Sequence, residues 1–160
     1  MAQVFIGMGS SINKLASINA GIAALQEEFG QLQISPLYES EAVGFAGENF
    51  YNLVVACTTE LTVKALISRL KAIEIEHGRE DNALKFSPRT LDLDLLLYDH
   101  LIAEEINIPR AEITENAFVL KPLAELAPTL KHPVLDETYQ QLWENYPKDK
   151  QRLWKINHNF

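Results

Sequence analysis

The sequence holds one cysteine, Cys57, in 160 residues, so no disulfide can close within the chain and a thiolate metal cluster lacks its ligands. Nowhere does it approach the run of about 18 apolar residues that a membrane-spanning helix needs. Met1-Ala-Gln-Val-Phe-Ile also lacks the basic segment that opens a secretory leader. Basic residues are scarce: 14 Lys and Arg stand against 22 Asp and Glu, a formal charge of -8. That sign repels phosphate backbones and argues against a nucleic-acid groove. An anionic ligand would need a few placed arginines, or divalent cations drawn in by carboxylates. Low-complexity tracts and internal periods are missing as well, which excludes disordered and solenoid classes. What is present, 47% hydrophobic and 22% charged residues, fits one soluble cytoplasmic domain over residues 1–160. A chain of this length buries roughly 70% of its unfolded surface.

Residues 2 to 8 read as a buried strand that ends near Gly7 and Gly9, followed by the polar turn Ser10-Ser11-Ile12-Asn13. From Lys14, the spacing of Leu15, Ile18, Ile22, Leu25 and Phe29 predicts a helix that Gly30 closes. Residues 31 to 38 form a second strand, and Ser40 to Glu48 a loop. Phe50 to Leu61 alternates as a third strand, with Asn52, Val54 and Ala56 on one face and Tyr51, Leu53, Val55 and Cys57 on the other. Thr62 caps a second helix bearing the stripe Leu66, Ile67, Leu70 and Ile73, which Gly78 ends. Leu91 to Tyr98 is the fourth and strongest strand. After it come a short segment at 106–108, a helix over 117–126 and a helix near 139–146. The order strand, helix, strand, strand, helix, strand predicts an α+β, ferredoxin-like antiparallel sheet covered on one side by helices, with C-terminal additions.

The fourth strand reads Leu91-Asp92-Leu93-Asp94-Leu95-Leu96-Leu97. Alternation puts Asp92 and Asp94 on one face and assigns Leu91, Leu93, Leu95 and Leu97 to the other. The two aspartates are roughly 6.6 Å apart at the backbone. Short carboxylate arms can converge from there on metal ions about 3.5 to 4 Å apart. Magnesium prefers oxygen ligands and keeps waters and substrate phosphates in its shell, so two carboxylates suffice. An arbitrary Asp-x-Asp more often faces solvent. Here aspartate, a poor strand former, occurs twice in the most strand-like segment, with Arg89 just upstream to neutralise a phosphate. Polymerase-beta-type nucleotidyltransferases share an Asp-x-Asp, but their Gly-Ser lies one turn and helix before it; Gly9-Ser10 here is two strands too early. Pattern and spacing give a metal-phosphate site and no more.

Gly9-Ser10 after the first strand, Asn52 in the third, Glu74 and Gly78-Arg79 at the end of the second helix, and Pro88-Arg89-Thr90-Leu91-Asp92-Leu93-Asp94 together resemble the hydroxymethyl-dihydropterin pyrophosphokinases of folate biosynthesis. The resemblance runs from the first strand to about Pro128. It implies transfer of pyrophosphate from ATP to the pterin's hydroxymethyl group, with release of AMP. It implies Asp92, Asp94 and Arg89 as catalytic residues, and Asp92 and Asp94 as ligands of two Mg²⁺ ions. It implies a pterin site of Asn52, Phe50 and Phe118, with backbone contacts from the loop at Ser40 to Val43. It implies ATP contacts from Glu74, Arg79, Lys85, Arg89 and Arg110. A monomer or weak homodimer is expected.

The chain departs from the family pattern at several points. Ser11 replaces the usual Asn after Gly-Ser, Phe86-Ser87 replaces Trp-Gly, Arg110 stands for a histidine, and Asn116 for a basic residue. Glu80 and Asp81 enter a loop that tends to be positive, and Glu41 replaces a proline. The alternatives are a non-catalytic or altered-substrate pterin or nucleotide-binding paralogue, and a metal-dependent nucleotidyltransferase, which would release pyrophosphate.

Overall fold

The computed structural model describes residues 1–41, 49–78 and 90–160. The first strand, β1 (Ala2–Ser10), is buried at nearly every position. That suits a strand flanked by partners and covered on both faces. Helix α1 (Lys14–Phe29) follows with Ile18, Ile22 and Leu25 on its buried side, and it stops at Gly30, whose φ of 80° is open to glycine at little cost. The predicted second strand breaks in two, β2 (Gln33–Ile34) and β3 (Leu37–Ser40), because Pro36 between them has no amide hydrogen to give a ladder. Strand β4 (Phe50–Thr59) pairs along the whole of β1. Helix α2 (Val63–Glu76) opens on Thr62, whose hydroxyl accepts from Ala65 N at 3.2 Å, and it buries Leu66, Leu70 and Ile73. Ile67, expected in the same stripe, is partly exposed beside a cavity.

Strand β5 (Asp92–Tyr98) pairs with β1, a short 3₁₀ turn occupies Glu104–Ile106, and then come α3 (Glu112–Glu115), α4 (Ala117–Leu126) and α5 (Tyr139–Asn145). A last strand, β6 (Leu153–Ile156), is absent from the sequence expectations; it pairs with β3. The sheet is antiparallel throughout, in the order β5-β1-β4-β3-β6 with β2 also on β4. This is the ferredoxin-like order extended by one strand.

Two readings are corrected. Helices cover both faces of the sheet: α1 and α2 enclose one cluster around Ile6, Leu53, Val55 and Leu93, while α3, α4 and α5 enclose a second around Phe5, Val54, Leu96 and Leu120. The C-terminal additions supply the second layer. Leu97 also leaves the face of Leu91, Leu93 and Leu95 and packs with the second cluster. Its cause is a bulge: Phe5 faces Leu97 while the next residue, Ile6, faces Leu95, so Leu96 is extra and the alternation shifts by one. The faces predicted for β4 hold, with Leu53, Val55 and Cys57 on one cluster and Val54 and Ala56 on the other. No helix among the described residues is long and apolar enough to cross a membrane.

Candidate active site

Asp92 and Asp94 lie ahead of the bulge, so they keep the common face that alternation gives them. β5 is the outermost strand on its side of the sheet, and its Leu93 N–H is met by a side chain of α2. Glu74, in the last turn of α2, is buried, and its Oε2 accepts the Leu93 amide hydrogen at 2.6 Å. This bond anchors the carboxylate between the two aspartates. One ligand oxygen from each of Glu74, Asp92 and Asp94 lies within 4.8 Å of the other two. The sequence marked Glu74 as a nucleotide contact; that it completes an acidic cluster depends on a contact across 19 residues.

Arg110 enters from the segment after the 3₁₀ turn, where its backbone N–H bonds to Leu96 O at 3.0 Å. Its Nη2 is 3.4 Å from Asp94 Oδ1, and its Nε pairs with Glu112. Burial, and then the charge of Asp92, hold the Asp94 carboxyl well above the usual carboxylate range. Arg110 opposes this, while a hydrogen bond to Asp92 and the charge of Glu74 add to it. A cluster that resists its own ionisation is one that a cation would complete. All its donors are carboxylate oxygens, the set that suits Mg²⁺.

Beside the cluster is a cavity of about 300 Å³. Glu74, Asp94, Arg110 and Lys71 form its polar wall, and Ile67, Leu70, Ile75 and Ile106 are among its apolar ones. Sequence reading missed this apolar wall: it assigned Ile67 to the buried stripe of α2 and gave Ile75 no role, and both are exposed.

The second group of predicted residues lies on β3 and β4. Ser40 and Asn52 are buried, and the Ser40 hydroxyl donates to Asn52 Oδ1 at 3.0 Å. Phe50, two residues before Asn52, is half-buried on the same face by alternation. Phe118 is half-buried in the first turn of α4, the helix that packs on β4. Register connects the two groups. Gly9 of β1 faces Asn52 on one side and Asp92 on the other, so the amide and the carboxylate stand in one row about 10 Å apart at the backbone. Asn116 is buried and its Oδ1 is held by Gln151 Nε2 at 2.8 Å, while Gln151 Oε1 accepts from Ala117 N. It serves the start of α4. Val43, Arg79, Lys85 and Arg89 lie outside the described residues.

Residues 5–128 match the family model of 7,8-dihydro-6-hydroxymethylpterin-pyrophosphokinase. The chain is 35% identical over 138 residues to the 2-amino-4-hydroxy-6-hydroxymethyldihydropteridine pyrophosphokinase of Aquifex aeolicus, covering 84% of this chain and 86% of that one. It is 37% identical over 137 residues to the protein of the same name from Pseudomonas aeruginosa, covering 82% and 84%. The fold is similar to a crystal structure of Plasmodium falciparum HPPK-DHPS, with a TM-score of 0.69 at 15% identity, covering 91% of this chain and 44% of that one. The chain thus spans less than half of that longer protein.

Proposed function

Since the chain belongs to the 7,8-dihydro-6-hydroxymethylpterin-pyrophosphokinase family, we propose that it transfers pyrophosphate from ATP to the hydroxymethyl group of 6-hydroxymethyl-7,8-dihydropterin and releases AMP. The observation that carries this reading is the convergence of Glu74, Asp92 and Asp94 beside a cavity that Glu74 and Asp94 help to line, with Asp92 in register with a buried amide. In the proposed mechanism Asp92 and Asp94 hold magnesium, two ions being the expected number, with Glu74 as the third carboxylate. Magnesium, when bound, neutralises charge on the triphosphate. The base of ATP packs against Ile67, Leu70, Ile75 and Ile106. Arg110, Glu74, Arg79, Lys85 and Arg89 orient the nucleotide.

The pterin is held at its edge by Asn52 and the chain at Ser40 and Val43, and over its faces by Phe50 and Phe118, the slab-and-edge combination that a flat heterocycle needs. The hydroxymethyl oxygen bonds to the β-phosphorus, the bond from that phosphorus to the α-phosphate's bridging oxygen breaks, and AMP leaves with the electron pair. The hydroxyl proton passes to the Asp92 carboxylate. Catalysis of this kind comes from alignment and charge neutralisation. We take residues 1–160 as one cytoplasmic domain acting as a monomer or weak homodimer.

The test is chromatographic. Purified protein with ATP, the pterin and Mg²⁺ should form AMP, formation should stop when either pterin or Mg²⁺ is withheld, and Asp94→Ala should lose at least 100-fold, about 2.7 kcal/mol of barrier. Release of pyrophosphate in place of AMP, or an Asp94→Ala variant as active as wild type, would defeat the proposal.

A further inference from the structure

Asn52 is held in one orientation. Its Oδ1 accepts from the Ser40 hydroxyl at 3.0 Å, with both side chains buried. Its Nδ2 has no hydrogen-bond partner among the described residues and lies over β1, where a Cβ added to Gly9 would sit 2.9 Å from it. Real Cβ atoms do not come so close, so the amide has its place because residue 9 carries no side chain. Across Gly9 the next residue in the row is Asp92. The Ser40 bond is not needed to join the strands, since backbone pairing of Tyr38 with Asn52 and of Ser40 with Phe50 already does so.

A free carboxamide can turn over and exchange its donor and acceptor ends. Resting on the pyrophosphokinase reading, we infer that Ser40 and Gly9 are positioning residues that lock Asn52 as a hydrogen-bond donor, so that the site selects a heterocycle presenting a ring carbonyl or bare ring nitrogen over one presenting an amino group there. An amino group at that position would set donor against donor and leave both desolvated and unpaired, which is the arrangement that discriminates most strongly between close analogues. The Ser40 hydroxyl, as distinct from the Ser40 backbone, acts on the ligand's selection only through Asn52, and Gly9 acts through the space it leaves.

Calorimetric titration tests this without turnover, using two pteridines that differ only by carbonyl against amino at one ring position. The proteins are wild type, Ser40→Ala, Ser40→Thr and Gly9→Ala. Wild type should favour the carbonyl ligand. Ser40→Ala should lose about three- to tenfold of that preference, Ser40→Thr should keep it to within about twofold because it retains the hydroxyl, and Gly9→Ala should weaken the carbonyl ligand by about tenfold or more. A merely structural role would move the urea midpoint and both affinities together, leaving their ratio alone. An unchanged ratio in Ser40→Ala, or equal losses in Ser40→Ala and Ser40→Thr, overturns the lock while leaving the pyrophosphokinase reading in place. A wild type that binds neither pteridine overturns that reading and the lock with it.

Discussion

Replacing Asp94 by asparagine changes charge at nearly constant shape, and the expected result inverts with the presence of a cation. The Asp94 carboxylate lies within 4.8 Å of ligand oxygens on both Asp92 and Glu74. At an effective dielectric constant of about 20, each such like-charge pair costs about 3.5 kcal/mol, and Arg110 at 3.4 Å offsets this by about 5 kcal/mol. The balance is about 2 kcal/mol unfavourable. The Asp94 side chain is 34% exposed, so solvent screening leaves roughly half of it. At pH values above its folded-state pKa, where Asp94 is ionised, Asp94→Asn should therefore stabilise the metal-free protein by about 1 kcal/mol, a rise in Tm of about 2–4 °C at this chain length. Wild type at 100 times the Kd for Mg²⁺ gains about 2.7 kcal/mol, which the variant forgoes.

Thermal melts of both proteins, in chelator and in excess Mg²⁺, should reverse their order. The pH dependence follows the same logic. With its folded-state pKa raised, Asp94 keeps a proton that the unfolded chain releases near pH 4, so metal-free stability falls as pH rises from there through the folded-state value and is level above it. Asp94→Asn should remove that slope. A variant that melts below wild type in chelator, or that retains the full Mg²⁺ gain, would refute the reasoning.

Glu74→Ala and Glu74→Gln remove the same charge, but only alanine strands the buried Leu93 amide hydrogen, so urea unfolding should find alanine less stable than glutamine by about 1–3 kcal/mol. His132 Nδ1 accepts from Val134 N at 3.1 Å and Leu135 N at 3.2 Å, and burial lowers its pKa. Its contribution should be complete above about pH 6.5 and be lost as pH falls through the lower folded value, a slope in urea-derived stability that His132→Gln should abolish.

Short-range pattern carried the elements that depend on it. The apolar spacing of α1, its stop at Gly30, the Thr62 cap and the two faces of β4 are all set by residues within a few positions of one another. Asp92 and Asp94 share a face for the same reason. Leu97 went wrong because a bulge is negotiated between two strands, and nothing in Leu95-Leu96-Leu97 distinguishes the extra residue. β6 went unseen because it is short and its partner is more than a hundred residues away. The third carboxylate and the Ser40 to Asn52 bond are likewise products of tertiary contact. The Arg110 substitution looked like a lost histidine, yet the guanidinium reaches Asp94 and so keeps a positive group at the cluster.

Strand β5 ends the sheet on one side, where unpaired backbone groups would invite a strand from another molecule. Glu74 fills that position by taking the Leu93 hydrogen. One side chain thus both blocks foreign strand addition and completes the acidic cluster. Substitutions at Glu74 that forfeit the Leu93 bond should yield protein prone to self-association, and the loss of soluble protein should track the loss of cation affinity.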